Sequence, residues 1–218
     1  MVDNVLGMSI DIGLRNLCVY IEIYNIKILQ EIQNVAKFKR YNNDGTTTKI
    51  FDQLLRRVYL SGKTIYINKI DIRGKNNTEI IINLQNFLDS INDKIINVEV
   101  ILIEEQMKTN NLAKKIEHYC ESYFVYNYLD TKSIIIFKSI NKTKILGMPR
   151  YSKKMKYYQK KKYRKDWSCS LGQYILELRS DDIARSIVDE NKKKDDFCDA
   201  IIQFQAFKYM CYVDKYLN

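Results

Sequence analysis

A single histidine, His118, serves this 218-residue chain. Mechanisms built on paired histidines, from zinc hydrolysis to histidine-metal nucleases, are therefore out of reach. Only seven glycines occur and none cluster. An actin-like ATPase needs several Gly-rich phosphate loops, so that reading and a nucleotide cofactor are both disfavoured. The five cysteines (Cys18, Cys120, Cys169, Cys198, Cys211) are odd in number, scattered and never in a Cys-x-x-Cys pair. This argues against a zinc ribbon and predicts free thiols in a reducing compartment. No run of eighteen apolar residues exists, and no charged segment with an apolar signal core opens the chain, so a soluble, unprocessed protein without membrane contact is expected. The length suits one domain with a substantial core.

What is present is positive charge in one place. The net charge is +10, and Arg150, Lys153, Lys154, Lys156, Lys160, Lys161, Lys162, Arg164 and Lys165 supply nine basic side chains with no acid among them. The rest of the chain nets only +1, so the charge is an arm and not a background. Tyr151, Tyr157, Tyr158 and Tyr163 interleave with it, offering flat faces to unpaired bases and hydroxyls to phosphates. The plain alternative is a solvated Lys-rich helix face or a disordered linker. One-sided charge binds polyanions whatever its origin, and nucleic acid is the expected partner.

The apolar periodicity predicts a strand at Leu6 to Asp11, then Leu17 to Ile23 and Ile26 to Ile32 completing an antiparallel meander. A helix is expected around Ile50 to Tyr59, followed by an alternating piece from Thr64 to Ile70. Thr78 reads as the N-cap of a helix running through Asn92. A strand at Val98 to Glu104, a helix at Leu112 to Leu129 and a strand at Ser133 to Phe137 follow. The last is continuously apolar and reads as central. Helices at Cys169 to Arg179, Asp181 to Val188 and Lys194 to about Val213 close the chain. The order β-β-β-α-β-α-β-α, a mixed five-stranded sheet with helices on both faces, predicts an α/β fold of the ribonuclease H-like type.

Carboxylates at the ends of buried strands are costly unless a partner or a metal compensates them. Asp11 and Glu104 each close an apolar run, and Asp196 and Asp199 lie three apart on the last helix, so both can face one site. Four such groups are enough to hold two hard divalent cations about 4 Å apart for phosphodiester chemistry. Asp11 would bridge the ions, and Gly13 would leave room for a phosphate. Strand alternation admits only one of Glu104 and Glu105; Asp195, four from Asp199, is not excluded by geometry. His118 reads as a packed or hydrogen-bonded helix residue, so basic assistance falls to a lysine.

Three segments, Ile10-Asp11-Ile12-Gly13-Leu14-Arg15-Asn16, Ile103-Glu104-Glu105-Gln106 and Lys194-Asp195-Asp196-Phe197-Cys198-Asp199, together resemble the Holliday junction resolvases of poxviruses, relatives of bacterial RuvC and of the mitochondrial resolvases. The resemblance implies metal ligands at Asp11, Glu104, Asp196 and Asp199, selecting Glu104 over Glu105 and Asp196 over Asp195. It implies a catalytic lysine, matched best by Lys142, with Lys144 or Lys153 as alternatives. It also implies two Mg²⁺ ions per site, replaceable by Mn²⁺, and cleavage of four-way DNA junctions leaving 5′-phosphates. Arg15 joins the basic arm as an expected DNA contact. A homodimer through the Leu112 to Leu129 stripe, and replication sites in a host cytoplasm, follow from the same resemblance. The chain is expected as one nuclease domain, 1–218, with an insertion at about 36–75 and a DNA-binding arm at about 142–167. Rivals are a ribonuclease H-like nuclease or integrase acting on another nucleic acid, and a noncatalytic DNA-binding module.

Overall fold

Short apolar runs build the sheet of this protein, whose computed structural model describes residues 3–215. The elements in order are β1 (Asn4–Asp11), β2 (Leu17–Asn25), α1 (Ile26–Gln30), α2 (Lys49–Leu60), β3 (Gly62–Ile70), α3 (Asn77–Ser90), α4 (Asn92–Ile95), β4 (Val100–Glu105), α5 (Asn111–Tyr128), β5 (Ser133–Lys138), α6 (Ser139–Ile145), α7 (Tyr157–Leu178), α8 (Asp182–Glu190) and α9 (Lys194–Lys208). The strands form one sheet in the order β3-β2-β1-β4-β5. β1 runs antiparallel to β2 and parallel to β4; β2 and β3 are antiparallel, β4 and β5 parallel. The expected mixed five-stranded sheet and α/β class are therefore present.

Strand parity sorts the side chains into two cores. Met8, Ile10, Val19, Ile21, Ile101 and Ile103 meet α3 and α5 on one face. Cys18, Tyr20, Val100 and Leu102 meet α2, α7 and α9 on the other. Nearly all of α9 is buried, which is why its sequence shows no clean apolar stripe. Gly7 permits that burial: a Cβ there would lie 2.0 Å from the Phe204 ring.

Several expectations need correction. The meander's third strand is not Ile26 to Ile32: Ile26–Gln30 is the short helix α1, whose first turn is capped by the Asn25 side chain accepting from the Ile28 amide. The strand that pairs with the other edge of β2 is β3, inside the segment read as an insertion. β5 lies at the sheet edge and not at its centre; it is apolar because helices cover both its faces, while one backbone side stays unpaired. The second half of the basic arm forms the first turns of the 22-residue α7, so of the two plain alternatives to a DNA-binding arm the helix face describes it and the linker does not. α3 is capped by Asn76, with its side chain accepting from the Glu79 amide, two residues before the expected Thr78. Among the described residues no helix is long and apolar enough to cross a membrane.

A charged network unforeseen from sequence sits inside the second core. Glu22 on β2 is fully buried between Lys208 Nζ at 2.6 Å and Arg179 Nη1 at 2.9 Å. The Tyr20 hydroxyl and Gln205 amide also donate to it, at 2.5 and 2.8 Å. Burial alone would raise the Glu22 carboxyl, yet Arg179 and Lys208 bring it down to about 2. Burial pushes the Lys208 ammonium down to about 7, with Glu22 opposing and Arg179 adding to the effect.

Candidate active site

The sheet register itself brings two carboxylates together. Ile10 pairs with Ile103 on the parallel neighbour β4, so the next residues, Asp11 and Glu104, end adjacent strands side by side. Both have the parity that points toward α9. Lys142 reaches the same point from α6, the helix that directly follows β5. Its ammonium lies 2.9 Å from Glu104 Oε1 and 3.2 Å from Asp199 Oδ1, with the residue only 4% exposed. Asp11, Glu104, Lys142 and Asp199 thus converge from four elements at the C-terminal edge of the parallel strands, where α/β sheets place their ligands.

Neighbours fix these groups. Gln106 Nε2 donates to Glu104 Oε2 at 3.0 Å, and the Gln106 amide donates to the buried Glu117 on α5 at 2.6 Å. Lys114 Nζ donates to the other Glu117 oxygen at 2.5 Å. Ser168, buried on α7, donates to Asp199 Oδ1 at 2.6 Å. Gln203, one turn beyond Asp199, donates to Ser9 Oγ at 3.0 Å and ties α9 to β1. Gly172 lets α7 approach closely, since a Cβ there would sit 2.7 Å from Cys198 Cβ, beside Asp199. Ser168 and Glu117 escaped the sequence reading: one is an ordinary serine in a basic helix, the other a lone acid in a helix whose apolar residues drew the attention.

Asp195 and Asp196 take different partners. Asp195 forms an ion pair with Lys165 of α7. Asp196 lies 3.9 Å from Lys69 Nζ, and Lys69 also donates to the Lys193 carbonyl at 3.0 Å. The buried Cys18 thiol, whose residue pairs with Asp11 across β1 and β2, is raised by burial and then by the charges of Asp11, Asp196 and Asp199, with Lys69 opposing. Asp196 itself is raised to about 6, by burial and then by Asp195. It stands at the margin of the cluster, and no direct contact joins it to Asp11, Glu104 or Lys142.

The electrostatics at the centre are those of crowded like charges. Burial, then Glu104, raise Asp11 well above the usual carboxylate range. Burial would raise Glu104 as well, but Lys142 and the hydrogen bond from Asp11 hold it low. Lys142 is held above its ordinary value by Asp199, Glu104 and Asp11 against the pull of burial. This donor set is entirely oxygen and suits a hard divalent cation. Among the described residues no three acidic, histidine or cysteine side chains surround one point as ligands, because the Lys142 ammonium stands where Glu104 and Asp199 meet. The chemistry of the donors fits Mg²⁺ or Mn²⁺; the arrangement present is one in which an ammonium balances the charge.

The other sequence-selected residues lie around this centre or away from it. A cleft of about 450 Å³ opens over Glu104, Lys142 and Asp199, walled by Met107, Tyr151 and Arg164. Arg15, Arg150, Lys153, Lys154, Lys156, Lys161 and Lys162 are exposed, as are Tyr157 and Tyr158, while Lys160 is half-buried. Lys144 lines a different recess. Gly13 makes a tight turn in which a Cβ would crowd the Asn16 carbonyl at 3.0 Å. His118 is not packed but exposed, near Glu121. On α5 the residues Ile116, Cys120 and Phe124 face the core, while Tyr119 and Tyr126 of the predicted stripe, and Leu129 just past the helix end, are exposed.

No protein-family model matches the chain. It is 33% identical over 217 residues to the uncharacterized protein 170L of Invertebrate iridescent virus 6, covering 88% of this chain and 74% of that protein. The fold is similar to the fowlpox virus resolvase solved with Holliday junction DNA, with TM-score 0.52, 20% identity, and coverage of 98% of this chain and 100% of that one. RuvC of Thermus thermophilus is similar with TM-score 0.52, 10% identity, and coverage of 95% and 98%. The chain therefore belongs to the iridescent virus family that includes 170L, and its fold is the RuvC-like fold of the poxvirus-type resolvases.

Proposed function

We propose that this protein is a divalent-metal-dependent endonuclease that cuts branched DNA, four-way junctions above all. The observation that carries this reading is the meeting of Asp11, Glu104, Asp199 and Lys142 beside a cleft that Arg164 and Tyr151 wall. Buried like charges of this kind are expensive and persist where a function needs them. The fold shared with a resolvase solved on Holliday junction DNA supports the same substrate class.

Asp11, Glu104 and Asp199 would hold the cations, with Asp196 at the margin as a further ligand. Two ions bound there would supply the charge that polarises a scissile phosphate and activates water, with Mg²⁺ or Mn²⁺ in that role. The chain's own groups supply the rest. Gln106 and Ser168 orient Glu104 and Asp199. Lys142 is placed to donate to a phosphate oxygen as charge develops on it. Met107 and Ile140 bring apolar surface to the cleft around the reacting groups. The products would be 5′-phosphate and 3′-hydroxyl ends. A homodimer with paired sites suits symmetric cutting, and the exposed Tyr119 and Tyr126 of α5, with Leu129 just past its end, are the proposed contact. The described residues act as one nuclease domain, in a virus-infected cell.

The test is cleavage of a synthetic four-way junction with Mg²⁺, with and without chelator, beside a linear duplex and an RNA–DNA hybrid. Junction cutting that the chelator abolishes is expected. Asp11→Asn should bind the junction and cut it slower by orders of magnitude. Wild-type cutting by that variant overturns the site, and preferential cutting of the hybrid overturns the substrate.

A further inference from the structure

Arg164 and Lys165 are consecutive on α7, yet they open into different recesses. Arg164 lines the catalytic cleft. Lys165 lines a second groove, of about 520 Å³, between the start of α7 and the start of α9. Tyr157, Tyr158, Lys161 and Lys165, at steps of one, three and four along α7, line the second groove. Arg164 turns instead to the cleft wall. There Tyr163 packs edge-on against Tyr151 of the cleft wall, ring centroids 6.0 Å apart, and Lys160 lies over the Tyr151 ring at 5.8 Å.

The second groove has the composition of a nucleic-acid surface. Five lysines and two tyrosines line it against two aspartates. One of those aspartates, Asp195, is already paired with Lys165. Tyr157 and Tyr158 are 80% and 65% exposed, although aromatic rings of that size normally find cover. Lysines that follow a backbone, combined with uncovered rings, form a stacking platform. Within a duplex the base faces are occupied by their neighbours. At a branch point the last base pair of each arm has a free face.

We propose that α7 is a divider: it holds one strand in the catalytic cleft beside Arg164 and a second, diverging strand in the groove beside Lys161, while Tyr157 and Tyr158 stack on the base pair exposed where the two separate. This rests on the nuclease reading and deepens it. Branch selectivity then comes from the width of one helix, about 10 Å, set between two phosphate backbones. No sequence-specific base contact is required, and a continuous duplex leaves the tyrosine pair without a partner.

The experiment measures affinity in chelator, so that DNA is bound and not cut, for a four-way junction and a linear duplex of matching sequence. The junction carries 2-aminopurine at the branch point. Wild type is expected to favour the junction at least tenfold and to change the 2-aminopurine fluorescence. The double variant Tyr157→Ala/Tyr158→Ala should lose about tenfold in junction affinity and most of the fluorescence change, with duplex affinity falling less than threefold. Lys161→Glu should weaken junction binding and flatten its salt dependence. Because these side chains are exposed, an unchanged thermal midpoint checks that each variant is folded. Equal loss on both DNAs, or no loss on either, overturns the divider. If wild type still cuts junctions with Mg²⁺ in that case, the nuclease reading stands alone; if wild type cuts no DNA, that reading has failed on its own account.

Discussion

Replacing Glu22 by Gln removes one negative charge from a site that water does not reach. Arg179 keeps its charge, with a side chain 2% exposed. Lys208, 0% exposed and already brought down to about 7 by burial with Glu22 opposing, moves lower still and gives up its proton. In the fold Glu22 titrates at about 2 in place of an ordinary 4.5. Each tenfold in acidity corresponds to about 1.4 kcal/mol, so this carboxylate contributes about 3 kcal/mol to stability at neutral pH. Breaking a buried ion pair from one side costs about 3–5 kcal/mol, an independent route to the same magnitude. The sign follows from the direction of the displacement. A depressed carboxylate stabilises fully above its unfolded value near 4.5, and that stability drains as pH falls through about 2. Near pH 2.5 only about 1 kcal/mol of it survives. Urea unfolding of wild type and Glu22→Gln at pH 7 and pH 2.5 measures both quantities. The expected gap is about 3 kcal/mol at pH 7 and clearly smaller at pH 2.5. A gap under about 1 kcal/mol at pH 7, or one that does not shrink with acid, refutes the account of the network.

Other substitutions probe the site. Lys142→Met leaves Glu104 and Asp199 facing each other uncompensated and should cost about 3 kcal/mol in chelator. Millimolar Mg²⁺ should then raise its thermal midpoint more than that of wild type; no difference in cation response would count against the charge-balance argument. Ser168→Ala removes the 2.6 Å hydrogen bond to Asp199 and should lower kcat about tenfold with KM nearly unchanged, read from junction-cleavage kinetics. Gly172→Ala forces a Cβ to within 2.7 Å of Cys198 and should destabilise by about 1–3 kcal/mol in denaturant unfolding, together with a loss of cleavage. An unchanged midpoint would mean that α7 and α9 yield more readily than the contact implies.

Alternation showed that only one of Glu104 and Glu105 could enter the site, but the run before them is too evenly apolar to say which. The register of β1 against β4 puts Glu104 on the face of Asp11. The spacing of Asp196 and Asp199 was legible for the analogous helical reason, but not their separation into inner and marginal positions. That depends on Lys69, which reaches Asp196 from a strand assigned to an insertion. β3 was misplaced because Ile26 to Ile32 has the composition of a strand, and a local cap at Asn25 outweighs that propensity. Glu22 was invisible for the opposite reason. In Leu17–Asn25 it occupies the place where a half-exposed strand carries its polar residue, and only the arrival of Arg179 and Lys208, far along the chain, makes that place interior. Long-range partners of this kind leave no local signature.

Packing by apolar side chains is weakly directional, and a smooth buried rod can slip along its axis at small cost. α9 is prevented from doing so by polar pegs at separate heights: Gln203 on Ser9 near the middle and Lys208 on Glu22 at the far end. Nine residues, about 14 Å of rise, lie between Asp199 and Lys208. A sheet-anchored latch at one end thereby sets the level at which a carboxylate is presented at the other, so tolerance at the chemical centre is governed from the opposite side of the molecule.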